Sequence, residues 1–148
     1  METKSLYDQQ VYQEVLDRID KLAPETAPQW GKMNSGQMLA HNAEVIEVSN
    51  GKPLENTPFL TKLLKGYIKK MVVGPKPYPK NSRTHPQYVQ TGSKDFQREK
   101  SRLLDALEKL KQTENQPVKH TLFGTMTKEE KGWAMYKHLV HHLEQFGV

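Results

Sequence analysis

The chain contains no cysteine. That excludes a disulfide framework, a zinc ribbon and a thiol nucleophile of its own, and it fits a reducing compartment. No segment approaches the roughly 20 apolar residues of a membrane-spanning helix. The first residues, Met1-Glu2-Thr3-Lys4, lack the apolar run of a secretory signal, so a cytoplasmic protein is expected. Acidic residues are missing from one long stretch. None falls between Glu55 and Asp95, whereas basic residues recur there from Lys62 to Lys94. Such a block is either a solvated face or an attractant for anionic partners. The His-Glu-x-x-His signature of zinc peptidases is also missing, because Leu139-Val140-His141 separates His138 from His142.

What is present reads as helix. At 148 residues, one domain over 1–148 is expected, large enough to bury a core without covalent staples. Val11, Val15, Ile19 and Leu22 recur at three- and four-residue steps and predict a first helix over Leu6 to Leu22. Asn34 with Gln37 has the form of a capping box and opens a second helix that stops near Asn50-Gly51. Pro58 to Val72 predicts a third, with one broad apolar face from Phe59 to Met71 that is expected to pack on the bundle. Gly74 to Thr91 carries four prolines and no steady period, so it reads as an extended connection. A leucine stripe predicts a helix over Asp95 to Lys111. Thr127 with Glu130 caps a last helix running to about Phe146. No convincing strand pair is evident. The expected architecture is all-α: a four-helix bundle with an extra helix and a long connection between the second and third main helices.

Three histidines cluster near the C-terminus as His138, His141 and His142. Residues four apart on a helix lie about 40° apart around the axis, so His138 and His142 project from nearly one side and can share a metal ion. His141 lies about 60° to the other side of His138. With Lys137 and Glu144 as its neighbours there, it reads as exposed. His41 lies among Met38, Val45 and Val48, on the apolar side of the second helix. A buried imidazole needs a partner, which a metal ion or a buried carbonyl can supply. His41 is therefore either a core histidine or the third ligand, and the pair on another helix favours the ligand. Glu44, one turn from His41, either orients an imidazole or sits on the surface. His120 reads as a loop-positioning group, a support to the site or an exposed side chain, and His85 as a near-surface residue. No catalytic residue is assigned.

Two blocks resemble the DinB-like (DinB/YfiT-like) superfamily of metalloenzymes. Trp30-Gly31-Lys32-Met33-Asn34 with Gln37-Met38-Leu39-Ala40-His41 is similar to the start of its second helix. Tyr136 to Gly147, containing His138-Leu139-Val140-His141-His142, is similar to its last helix. Pro79-Lys80-Asn81-Ser82 and Phe123-Gly124 resemble one uncharacterised subgroup. The resemblance implies an up-down-down-up four-helix bundle, often a homodimer. It implies zinc or nickel held by one histidine of the second helix and two of the last, here His41, His138 and His142. It also implies a small-molecule substrate, in some relatives a low-molecular-weight thiol such as bacillithiol or mycothiol.

Two functions follow as expectations. The first is a metal-dependent enzyme, a thiol-dependent transferase or a hydrolase. The alternative is a non-enzymatic binding module using the basic amphipathic segment 58–83, a pattern that lies on membranes or partner proteins. Because the apolar face of that segment is expected to be packed, membrane binding is not expected. Nucleic-acid binding is not expected either, since no convincing helix-turn-helix signal is present and the basic stretch has no aromatic interleaving beyond Tyr67, Tyr78 and Tyr88.

Overall fold

A computed structural model describes residues 2–148 of the chain. It is mostly helical, and four long helices supply one shared core: α1 (Gln9–Asp20), α2 (Ser35–Ser49), α5 (Phe96–Gln112) and α6 (Lys128–Gln145). Two short helices, α3 (Phe59–Leu63) and α4 (Lys65–Val73), follow α2. A 3-10 turn at Pro86–Tyr88 lies within the long connection between α4 and α5. Among the described residues, no helix is long and apolar enough to cross a membrane.

The helix starts follow local chemistry. The Asp8 carboxylate accepts from the backbone N–H groups of Gln10 and Val11, so α1 begins after it rather than at Leu6. Leu6 and Leu22, outside the helix at either end, are still buried in the core. Reciprocal capping boxes form at Asn34 with Gln37 and at Thr127 with Glu130. Asn50 caps α2, and Gly51 (φ +111°) turns the chain away from it.

Three features depart from the sequence expectation. The helix expected over Pro58 to Val72 is broken at Leu64, whose φ of −93° and ψ of 7° interrupt it. Most of its apolar face does not pack on the bundle: Phe59 is 79% exposed, Leu63 68% and Tyr67 70%. A two-stranded antiparallel hairpin also forms, β1 (Lys119–His120) with β2 (Gly124–Thr125). Two-residue strands are too short to show an alternating pattern in sequence.

The hairpin turn is built on His120. Its buried Nδ1 accepts from the N–H groups of Leu122 and Phe123, at 3.1 and 3.2 Å. That use requires a neutral ring. Burial, aided by the nearby charges of His85 and Lys131, lowers its pKa from 6.5 to about 4. The unfolded chain therefore takes up a proton at a pH where the folded chain does not. The stability contributed is complete above pH 6.5 and is lost as pH falls from there towards about 4. A His120→Asn variant keeps an acceptor but cannot titrate. Chemical denaturation across this range is expected to show a shallower loss of stability for the variant than for the wild type.

Candidate metal centre

The site forms where α2 meets α6. Four-residue spacing brings the rings of His138 and His142 together edge to face on one side of α6, with centroids 4.8 Å apart. His41 comes from α2 to face both, its ring 5.0 Å from His138 and 4.7 Å from His142. One ring nitrogen from each lies within 4.8 Å of the others. The Nε2 atoms of His41 and His138 are 3.2 Å apart.

The other nitrogen of each ring is committed elsewhere. His41 Nδ1 donates to the Tyr88 carbonyl at 2.8 Å. His138 Nδ1 donates to Asn42 Oδ1 at 3.1 Å, and His142 Nδ1 to Gln145 Oε1 at 2.8 Å. Neither amide is free to turn round. Asn42 Nδ2 donates to the Met38 carbonyl at 3.0 Å, and Gln145 Nε2 to the Trp30 carbonyl at 2.8 Å. Three backbone carbonyls thus place the Nδ1 proton on every ring and leave every Nε2 with an unprotonated lone pair.

Such a donor set fits a metal ion. Tetrahedral zinc, with Zn–N near 2.0–2.1 Å, sets its ligand nitrogens roughly 3.3 Å apart. The pair at 3.2 Å already has that spacing. Without a cation, two lone pairs at this distance repel. A proton between them is disfavoured, because burial lowers the pKa of His41, lowers that of His138 well below its ordinary value, and takes that of His142 to about 3. Imidazoles held neutral and oriented through Nδ1 are what metal ligation requires.

The groups supporting the rings come from distant segments. Tyr88 belongs to the 3-10 turn, whose first residue follows His85. The His85 Nδ1 caps that turn by accepting from Gln87 N–H. Gln87 in turn donates to Glu44 Oε1 at 2.9 Å and to the Pro53 carbonyl at 3.0 Å. Glu44 is buried and bridged to Lys52 at 2.8 Å and to Arg102. It is therefore neither a surface residue nor a direct partner of an imidazole. It anchors the turn that carries Tyr88, and so acts on His41 at one remove. Gly31 makes the Trp30 contact possible, since its φ is +81° and a Cβ there would lie 2.6 Å from Gln145 Nε2.

A cavity of about 1050 Å³ adjoins the three histidines. Ile68 and Val72 of α4, Leu122, Phe123 and Met135 contribute apolar wall. Lys32 and Arg83 line it as well, and no Asp or Glu does so among the described residues. Burial raises the pKa of Tyr78 and Tyr88, which keeps both phenols protonated on this wall. His141, expected to be exposed, is half-buried on the same wall, with its ring 5.8 Å from Tyr78 and 5.9 Å from Trp30. The misleading neighbour was Lys137, which is only 1% exposed. Its ammonium donates to the carbonyls of Met71, Gly74 and Lys76 at 2.7 to 3.1 Å, tying the end of α4 to α6. A lysine that caps carbonyls inside the fold looks the same in sequence as one in water. His120 and His85 also line the cavity, outside the three-histidine cluster.

The supporting amides should matter to affinity almost as the ligands do. Asn42→Leu and Gln145→Leu are each expected to weaken zinc binding about 10- to 100-fold in a chelator competition. His138→Ala is expected to remove it. Equal zinc affinity in all three variants and the wild type would show that these rings do not hold the ion.

No curated protein and no solved structure matches the chain. A family model described as a protein of unknown function, DUF1569, matches residues 1–147. With a match running over nearly its whole length, this chain belongs to the DUF1569 family.

Proposed function

We propose that the protein is a metal-dependent enzyme of the DinB-like superfamily. In this reading His41, His138 and His142 hold zinc or nickel beside a substrate cavity. The observation that carries the reading is the convergence of one ring nitrogen from each of three histidines whose Nδ1 atoms all meet oxygen acceptors. A divalent ion held by three neutral imidazoles supplies Lewis acidity and an open position for a thiol or a water molecule.

The chain's own residues narrow the chemistry. No carboxylate lines the cavity among the described residues, although His85, His120 and His141 do. A metal ion lowers the pKa of a bound thiol as it does that of water, and the family resemblance points to a low-molecular-weight thiol as the nucleophile, so thiol S-transfer is the proposed reaction. Transfer forms one S–C bond and breaks the bond to the leaving group, and the thiol proton goes to solvent. Lys32 and Arg83 favour a substrate with an anionic group, and the apolar wall favours a hydrocarbon portion beside it. Bacillithiol and mycothiol are the thiols that the family resemblance suggests.

The test is a thiol-consumption assay with zinc- or nickel-loaded protein, these thiols and a panel of alkyl and epoxide electrophiles. Metal-dependent turnover is expected, lost in His138→Ala. Arg83→Gln is expected to raise KM for an anionic thiol about tenfold with kcat nearly unchanged, the signature of lost binding alone. Turnover that is equal with and without metal, or absent across the panel in fully loaded protein, would sink the proposal.

A further inference from the structure

We propose that the α3–α4 face docks the protein on an anionic phospholipid surface, so that the cavity takes up an amphiphile from the bilayer edge. Phe59, Leu60, Leu63, Leu64 and Tyr67 are exposed there as large apolar side chains that the described residues leave partly or largely uncovered. Lys62, Lys65 and Lys70 are exposed among them and pair with no acid among the described residues. Lys69 is different. It pairs with Glu130 at 3.7 Å and donates to the Thr125 carbonyl at 3.3 Å, so it fastens α4 to the bundle.

Charge selects the occupant. The segment from residue 56 to 94 contains no Asp or Glu. A second copy placed on this face would bring lysine against lysine. A plane of anionic headgroups neutralises the lysines, while their long stems let the apolar side chains reach the acyl boundary. Aromatic and leucine side chains interleaved with lysine are the composition of an interfacial helix.

The face is continuous with the cavity. Leu64, Tyr67 and Met71 follow one another at three- and four-residue steps and form a stripe along the outside of α4. Ile68 and Val72, one position further round, line the cavity. Met71 belongs to both, being 42% exposed and a lining residue. An apolar path therefore runs from the exposed face over Met71 into the cavity. The docking rests on surface residues alone and does not depend on the metal.

The test is co-sedimentation of the full chain with vesicles of phosphatidylcholine alone, or of phosphatidylcholine mixed equally with phosphatidylglycerol. The wild type is expected to sediment with the mixed vesicles at low salt and to stay largely in solution with phosphatidylcholine alone. Lys65→Gln and Lys70→Gln are each expected to cut partitioning about fivefold, from roughly 1 kcal/mol per surface lysine. Leu60→Ser combined with Leu63→Ser is expected to cut it more than about tenfold. All four side chains are exposed, so unchanged circular dichroism is expected throughout. His41→Ala is expected to sediment like the wild type, which separates this result from the metal reading. A wild type that remains in solution with both vesicles, or variants that sediment as well as it does, would overturn the docking. So would a wild-type dimer, seen by gel filtration and dissociated by the two leucine changes, that ignores vesicles. In that case a second copy covers the face.

Discussion

Two unprotonated imidazole nitrogens held 3.2 Å apart repel each other unless something positive lies between them. Their protons sit on the far side of each ring, fixed by Tyr88, Asn42 and Gln145, and the two amides are themselves fixed by backbone carbonyls. Burial makes protonation a poor remedy for the repulsion. A divalent cation relieves it and gains three oriented donors.

That constraint explains features that would otherwise look incidental. The connection between α4 and α5 contains a 3-10 turn, capped by His85, from which Tyr88 presents its carbonyl to His41. The charged cluster of Glu44, Glu47, Lys52 and Arg102 secures the other side of that turn through Gln87. Lys137 ties the end of α4 to α6 one residue before His138, so the cavity wall and the ligand helix are held together.

Local signals were readable in the sequence. The capping pairs Asn34 with Gln37 and Thr127 with Glu130 mark the starts of both histidine-bearing helices, because a cap involves only residues three apart. The pairing of His138 with His142 follows from helical spacing, and His41 from its apolar neighbours. The rest depends on contacts between distant segments. Nothing near His141 tells that Lys137 turns inward and leaves it on the cavity wall. Nothing near Glu44 tells that Gln87, 43 residues away, will hold it. The apolar run from Phe59 to Met71 looks like core because periodicity reports amphipathicity and not what lies opposite. In the fold, the face it presents is largely uncovered.

Three histidines bring one ring nitrogen each within 4.8 Å of one another beside a cavity that Lys32 and Arg83 line. Such a cluster can hold one metal ion through all three rings. X-ray absorption on zinc-loaded protein, with zinc counted per chain by elemental analysis, tests it most directly. One zinc per chain is expected, with three imidazole nitrogens at about 2.0–2.1 Å and an oxygen such as water as the fourth ligand. Loaded protein that retains no zinc, or zinc bound by fewer than three imidazoles, would contradict it.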